Sequence, residues 1–259
     1  MTEKEINIID VIKKFTRLIS NQLNLRWEKT NIDFEELEVY EVTSALLARQ
    51  VTLARLIAEN PGVWNNHIAP LILRSMADVH ISLAWINKDK LDRSRKFILY
   101  GLGQEKLRIE HRKTLFENRE PYDYEEEMIK ASEDWINTQR YTFLTDVDVG
   151  SWSGKSTREM ADEADCLDYY NLVYSPFSAC THSAWHHVGK FNVNFCQNPL
   201  HKYHKVPFDP QLEPDTHYLY LAGKYIQKSF NEYDQGFNLN IKEESGFKYL
   251  QEILYKTGT

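Results

Sequence analysis

Apolar residues recur every three or four positions along most of this chain, and this spacing is the strongest constraint on its fold. In residues 3–29 the resulting stripe consists of Ile8, Ile12, Phe15, Ile19 and Leu23. Glycine and proline interrupt helices, and they number only 10 and 8 among 259 residues. Average usage of the two together is about 12 %. We therefore expect an all-α protein with long helices and few tight turns.

The same periodicity and its interruptions divide the chain into helices and connections. The longer predicted helices cover about residues 3–29, 33–60, 69–86, 90–118, 120–144, 168–195, 215–233 and 243–256, and a short helix is expected to begin at Ser156. Pro176 is expected to kink the helix over 168–195 or to divide it. A Pro-containing connection over residues 198–214 lies near the start of the C-terminal third. We predict a single domain over residues 1–259, folded as a bundle of about seven or eight helices.

The charge and the cysteines limit the class of protein. A formal net charge of −7 argues against a broad nucleic-acid or anionic-membrane surface, although it permits a local basic cleft. No apolar run is long enough to span a membrane, and the N-terminus lacks the apolar stretch of a signal peptide. Cys166, Cys180 and Cys196 form no C-x-x-C pair, so we expect buried structural thiols, with a metal site as the alternative. Together these features predict a cytoplasmic protein.

The third helix carries an arginine and a carboxylate on one face. Arg74 and Asp78 are four residues apart, and His80 follows Arg74 at an R-x5-H spacing. The apolar neighbours predict a helix that is buried over much of its circumference, where an arginine and a carboxylate need each other. Two interpretations stay open, a structural ion pair and part of a functional site.

A second polar stripe lies in the aromatic segment after residue 168. Tyr174, Ser178, His182 and His186 repeat every four residues among apolar neighbours. If this stripe faces Arg74 on the third helix, histidine provides a general base and arginine stabilises a phosphate or an oxyanion. The alternatives are an exposed polar stripe and a satisfied network in the core.

Other histidines offer weaker signals for metal binding. His182 and His186 have the i, i+4 spacing of a metal-binding helix, with Asp78, His80 or His187 as further ligands, but the string is not H-E-x-x-H. We therefore expect neither a bound metal nor a cofactor and keep metal binding as an alternative. His201 and His204 lie among Lys202 and Lys205, and we expect them to be solvated, with an anionic ligand as the other interpretation.

The loop over residues 148–156 is the concentrated turn signal of the first two thirds of the chain. It lacks the first glycine of a phosphate-binding loop, and it ends in a capping box formed by Ser156 and Glu159. Trp152 is expected to anchor the loop. A helix N-terminus beside Lys155 and Arg158 suits an anion, so both a structural and a ligand-binding role stay open.

These residues also carry a family resemblance. The run from Trp152 to Arg158, followed by Tyr170, Tyr174, Ser178 and His182, resembles the uncharacterised bacterial family DUF5677. Such proteins also tend to have an arginine and, four positions later, an acidic residue. Arg74 and Asp78 match this pattern here, with aspartate where glutamate is common. The resemblance covers about residues 35–195 and leaves residues 198–259 as a C-terminal extension. It implies an all-helical intracellular bacterial protein and supplies no reaction.

A looser resemblance is to the HEPN superfamily of helical bundles, many of which are ribonucleases in toxin–antitoxin and anti-phage systems. Their arginine is followed after four to six residues by histidine, as in Arg74 and His80, although Ser75 replaces the usual Asn, Asp or His. The resemblance implies a metal-independent endoribonuclease that acts on RNA. The residues that it and the polar stripes single out as catalytic are Arg74, Asp78, His80, Ser178 and His182, with Trp152, Lys155, Arg158 and Tyr174 in ligand binding. The competing hypothesis is a non-catalytic sensor or scaffold that binds a protein partner or dimerises.

Overall fold

The computed structural model describes residues 7–117, 119–139 and 150–254, and helices dominate it. The first five helices are α1 (Ile8–Lys29), α2 (Leu37–Ala58), α3 (Ala69–Asn87), α4 (Lys90–Phe116) and α5 (Asp123–Asn137). A short 3-10 turn, Pro61–Val63, separates α2 from α3. Pro70 lies in the first turn of α3, where the missing N–H costs no helical hydrogen bond.

The second half contains shorter helices and a small sheet. These elements are α6 (Thr157–Glu163), α7, α8 (Trp185–Phe191), β1 (Val193–Phe195), β2 (Lys205–Pro207), α9 (His217–Phe237) and α10 (Gly246–Leu254). Helix α7 is continuous through three parts, Leu167–Tyr169, the π-helical turn Tyr170–Tyr174, and Ser175–Thr181. β1 and β2 are antiparallel, with Asn194 opposite Val206.

The main core lies where α2, α3 and α9 pack against one another. Helices α1 and α10 cover one side of this group, whereas α6 and α7 pack on α3. One apolar cluster extends from Val11 in α1 to Leu250 in α10. A separate small cluster, formed by Ile109, Ile129 and Ile136, joins α4 to α5. Helix α3 therefore packs on the long helices α2 and α9 and also contacts α7, the helix that carries Tyr174 and Ser178.

The all-α prediction is confirmed, but the predicted number of helices is wrong. The described residues contain ten helices rather than seven or eight. One reason is the segment 168–195, which contains two helices and a strand. Ser183 has a positive φ of 47°, a conformation that stops a right-handed helix, so α7 ends at Thr181 and α8 begins at Trp185. Residues 193–207 form a hairpin that the sequence pattern did not predict.

Pro176 neither divides nor ends α7. The preceding turn is π-helical, and the Ser175 N–H donates to the Tyr170 carbonyl, five residues back. In a regular helix the proline ring collides with the carbonyl four residues back, and the wider turn relieves that collision.

The helix ends differ from the predicted ones by a few residues. α2 begins at Leu37 after Glu36 and not at Asp33, whose carboxylate accepts the Glu35 N–H at 2.9 Å. α9 continues to Phe237, where Asn238 takes a left-handed φ of 53°. Residues 3–6, 118, 140–144 and 255–256 of the predicted helices, and the start of the loop at 148–149, lie outside the described residues. Within the described residues, no helix is both long and apolar enough to cross a membrane.

Candidate functional site

The guanidinium of Arg74 lies at the centre of a polar cluster between α3 and α7. Its Nε donates to the Ser178 hydroxyl at 2.8 Å, while Nη1 donates to the Asp78 carboxylate and Nη2 to the Tyr174 hydroxyl. Each of the three nitrogens therefore bonds to a side chain. The Arg74 cluster is the name used for the following five residues: Arg74, Asp78, Thr157, Tyr174 and Ser178.

The local structure of α7 places two side chains on the same arginine. Tyr174 and Ser178 are four residues apart, and the Ser178 hydroxyl donates to the Tyr174 carbonyl at 3.0 Å. The Tyr174 ring also lies beneath the guanidinium, with 3.8 Å between its centre and the arginine Cζ. Tyr170 stacks on Tyr174, with ring centres 4.8 Å apart. Arg74 is thus fixed by hydrogen bonds and by a cation–π contact together.

Helix α6 joins the cluster through Thr157, which the sequence analysis missed. The Tyr174 hydroxyl lies 3.3 Å from the Thr157 hydroxyl. Thr157 is the first residue of α6, directly after Ser156, whose hydroxyl accepts the Glu159 N–H at 3.2 Å in the predicted capping box. That capping box was the only signal for Thr157, because its contact with Tyr174 depends on how α6 and α7 pack. The cluster therefore connects three helices.

Burial affects the two charged members of the cluster differently. The side chain of Arg74 is 17 % exposed and that of Asp78 is 41 % exposed. Partial burial raises the pKa of Asp78, and the positive charge of Arg74 opposes that change. The solvent-facing edge of the cluster is therefore a carboxylate, so the face presented to water is the negative partner of the pair.

His80 lies apart from Arg74, in the core. Its Nδ1 is 3.3 Å from the Ser229 hydroxyl of α9, and its ring meets Tyr169 edge-on at 4.8 Å. The Ser229 hydroxyl also accepts a hydrogen bond of 2.7 Å from the Gln50 side chain. Burial lowers the pKa of His80 to about 3, so the imidazole is neutral in the folded protein. His80 is six positions after Arg74, and this spacing turns their side chains to different sides of α3.

The predicted polar stripe ends after Ser178. His182 follows α7 as its C-cap residue, with its N–H bonded to the Ser178 carbonyl at 3.0 Å and its side chain exposed. His186 is exposed on α8, beyond the break at Ser183. The two histidines therefore do not share one helix. His187 instead packs edge-on against His67, with ring centres 5.3 Å apart.

The predicted ligand loop is attached to the core and to neighbouring charges. The Trp152 ring meets Trp85 at 5.2 Å and Phe97 at 4.9 Å, both edge-on. The Lys155 ammonium pairs with Glu163 at 2.6 Å, and Glu163 also accepts from the Trp85 indole. Arg158 is exposed in the first turn of α6. These contacts attach the loop to α3, α4 and α6. Ligand binding by Trp152, Lys155 and Arg158 stays a prediction.

The three cysteines are free thiols in different surroundings. Cys166 is buried, and burial raises its pKa to about 11. Cys180 is half-buried, and its thiol lies 3.2 Å from the His67 carbonyl. Cys196 is also half-buried and lies in the loop of the hairpin, so the prediction of buried thiols is wrong for Cys180 and Cys196, and the predicted helical position is wrong for Cys196. A helical periodicity could not predict a segment that pairs with a strand nine residues away.

The fold and the cluster define an all-helical protein in which one arginine joins the side chains of three helices. Residues 40–198, more than half of the chain, match the family of unknown function DUF5677. The chain belongs to this family, and the matched region includes every member of the Arg74 cluster. No curated protein and no solved structure gives a significant match.

Proposed function

We propose that this chain is a non-catalytic interaction protein, in which the Arg74 cluster fixes α7 against α3 and α6. The observation that carries this proposal is the bonding of all three guanidinium nitrogens to side chains of the protein itself. Partly buried arginine–carboxylate networks of this kind hold neighbouring elements in one arrangement when their polar groups are satisfied. A catalytic arginine instead directs its donors at the position of the substrate.

The position of the histidines also favours a structural role for the cluster. His80, the histidine of the R-x5-H pattern, is enclosed by Ser229 and Tyr169 and stays neutral. A general base must reach the proton that it removes, and a core histidine cannot reach a bound nucleotide. The bonds of Arg74 go to a hydroxyl, a phenol and a carboxylate, none of which ordinarily takes up a proton near pH 7.

The segment that follows α7 gives such a protein a contact surface. Trp185 in α8 is 68 % exposed and Phe195 in β1 is 69 % exposed. The Lys205 ammonium lies 5.9 Å from the Trp185 ring centre and 5.6 Å from that of Phe195, which places the three side chains together. Exposed aromatic residues grouped in this way mark protein interaction sites. A lysine near both rings favours a partner that presents carboxylates.

Capture with matched variants tests the interaction. The wild-type chain and a Trp185→Ser variant are crosslinked in cells, and the captured proteins are compared. Trp135→Ser in α5 is the control, because Trp135 is 49 % exposed but lies on a different helix. We expect a protein whose capture is lost with Trp185→Ser and kept with Trp135→Ser. Equal capture by all three chains contradicts the proposed surface.

A second candidate function is the metal-independent ribonuclease. It is favoured by His182, whose exposed side chain follows one turn after Ser178, the residue that Arg74 holds. The three bonds of Arg74 also use three of its five N–H donors. In this version His182 removes the 2′-hydroxyl proton and Arg74 stabilises the charge that develops on the phosphate.

Incubation with mixed RNA, and with DNA, separates the two functions. Under the interaction proposal, the purified chain leaves both nucleic acids intact, with or without a chelator. RNA cleavage that is lost in His182→Ala, and in Arg74→Lys at a temperature at which circular dichroism shows that variant to be folded, overturns that proposal and establishes the ribonuclease. Arg17→Met serves as the charge control, because Arg17 is exposed on α1, outside the cluster.

A further inference from the structure

Three potential metal ligands meet in the loop that connects the two strands of the hairpin. The Sγ of Cys196 and one ring nitrogen from each of His201 and His204 all lie within 4.8 Å of one another. Cys196 Sγ is 3.7 Å from His201 Nδ1. For tetrahedral Zn²⁺ with ordinary bond lengths, a sulfur and a nitrogen ligand are about 3.6 Å apart. This pair therefore already has the separation that one metal ion requires.

The backbone of the hairpin produces this arrangement. Phe195 pairs with Lys205 in the two-stranded sheet, and the next pair outward is Cys196 and His204. The Cys196 N–H donates to the His204 carbonyl at 2.9 Å, which fixes these two residues opposite each other. Tyr203 has a positive φ of 63°, so the chain turns sharply just before His204. The sheet therefore brings together ligands that are eight residues apart.

The loop between the strands orients the third ligand. The His201 N–H donates to the Asn198 carbonyl at 3.0 Å, and the Asn198 Oδ1 accepts the Leu200 N–H at 3.0 Å. The Asn198 Nδ2 lies 3.3 Å from His201 Nε2, the ring nitrogen that points away from Cys196. Because the amide nitrogen is a donor, Nε2 accepts this bond, and Nδ1, which faces the thiol, carries the ring proton of the metal-free chain and gives it up when it binds a metal. The rings of His201 and His204 are 5.5 Å apart between centres, and exposed side chains can close that distance by rotation.

We propose that Cys196, His201 and His204 bind a divalent transition-metal ion of the zinc class. One thiolate and two imidazoles are the donors that Zn²⁺ prefers, whereas Mg²⁺ and Ca²⁺ prefer oxygen ligands. Three protein ligands leave the fourth tetrahedral position to water or to an anion. Lys202 and Lys205 flank the ligands in the sequence, and their positive charge favours an anion at that position. The site is separate from the Arg74 cluster and does not depend on its function.

Titration of the reduced, metal-free chain with Co²⁺ and then Zn²⁺ tests the site. We expect one equivalent of Co²⁺ to bind with a sulfur-to-cobalt charge-transfer band, and Zn²⁺ to displace it. Cys196→Ser is expected to remove the band. His201→Asn and His204→Asn are expected to weaken Zn²⁺ binding by more than about 100-fold, beyond the loss seen when only an outer partner of a ligand is changed.

Two controls separate this site from other thiols and histidines. Cys180→Ser removes a half-buried thiol, and His186→Asn removes an exposed histidine on α8, so both variants are expected to bind the metal as the wild type does. Zn²⁺ binding that survives Cys196→Ser and is lost in His186→Asn overturns the proposal. Absence of Co²⁺ and Zn²⁺ binding to the folded wild-type chain also overturns it.

A second measurement does not depend on spectroscopy. Lys202 lies within the loop that the metal would close, between two of its ligands. Zn²⁺ is expected to slow tryptic cleavage after Lys202 in the wild type and not in Cys196→Ser. Affinity is expected to fall as the pH is lowered, because protons compete with the metal for the thiolate and the imidazoles. Cleavage after Lys202 at the same rate with and without Zn²⁺ contradicts a closed metal site.

Discussion

Two arginines in this protein have similar partners but are buried to different extents, and comparing them shows how burial changes what an arginine contributes to stability. Arg26 in α1 donates to Asp234 of α9 at 2.6 Å and lies 4.0 Å from the Phe230 ring centre. Arg74 likewise has a carboxylate and an aromatic ring. The Arg26 side chain is 2 % exposed, however, whereas that of Arg74 is 17 % exposed. Burial lowers the pKa of Arg26.

The deeper arginine is the less completely bonded one. Among the described residues, Arg26 Nε and Asp234 Oδ1 have no hydrogen-bond partner, whereas each nitrogen of Arg74 has one. Arg26 is held by enclosure, and a carboxylate left there without it cannot be fully hydrated. Arg74 is held by its hydrogen bonds at a partly solvated edge. Depth should therefore decide the free energy lost when each arginine is removed.

The largest effect is expected for Arg26→Met. It leaves the largely buried Asp234 carboxylate, 18 % exposed, without its cation, so the free energy of unfolding should fall by about 3 kcal/mol. Urea denaturation monitored by circular dichroism measures the change. Arg17→Met on the exposed side of α1 is the control and should be nearly neutral. If Arg26→Met lowered the free energy of unfolding as little as the control does, burial would not determine how much each arginine stabilises the fold.

The next largest effect is a pH dependence of the free energy of unfolding, which comes from His80 and not from either arginine. His80 is neutral when folded because its pKa is lowered from 6.5 to about 3. Between these values the unfolded chain binds the extra proton, so stability falls as the pH is lowered. The expected loss from pH 7 to pH 5 is about 2 kcal/mol. The raised pKa values of Asp78 and Asp234 act with the opposite sign, over a pH window that extends upward from 3.8.

A comparison of denaturation at pH 7 and pH 5 measures this slope. His80→Gln removes the titrating group and should flatten the slope. His182→Gln is the control, because His182 is exposed, and it should leave the slope unchanged. An equal slope in the wild type and in His80→Gln would contradict the role assigned to His80.

A smaller loss is expected for Arg74→Met, about 1–2 kcal/mol, because Asp78 is 41 % exposed and regains water. Hydrogen exchange should quicken in α7 and the start of α6 more than in α10, since the cluster joins those helices to α3. Arg74→Lys keeps the charge but loses the three-way fork, and it should recover only part of the stability. An equal increase in the exchange rate of all helices would contradict the proposal that the Arg74 cluster fixes α7 and α6 to α3.

The smallest effect is expected for Tyr174→Phe, about 1 kcal/mol. The ring stays beneath Arg74, and only the hydroxyl that contacts Arg74 and Thr157 is removed. Tyr100→Phe is a matched control, because the Tyr100 hydroxyl bonds an exposed carbonyl, that of Gly150, at 2.9 Å. If Tyr100→Phe lowered the free energy of unfolding more than Tyr174→Phe does, the Tyr174 hydroxyl would not have the stabilising role assigned to it.

Local patterns in the sequence predicted local structure well. The spacing of Arg74 and Asp78 placed them on one face of α3, and Ser156 with Glu159 marked the start of α6. Helical spacing also predicted that Tyr174 and Ser178 share a face, and the structure brings both to Arg74. These predictions depend only on contacts within a few residues, and such contacts follow from helix geometry.

Contacts between distant residues could not be predicted in the same way. His80 follows Arg74 closely in the sequence, yet it bonds Ser229 on α9. His182 is separated from His186 by the positive φ of Ser183, which no residue pattern marks. The hairpin that joins Cys196 to His204 was missed because its strands are only three residues long.

The sequence by itself determined the all-helical class, most helix positions, the family and the arginine–carboxylate pair of α3, because each depends on periodicity or on a short motif. Only the tertiary structure decided which side chains meet around Arg74, that His80 is enclosed in the core, and that a thiol and two imidazoles converge on the hairpin. Arg74 and Ser178 are 104 residues apart. Contacts at that separation depend on how whole helices pack, and the free energy of that packing is distributed over the entire core.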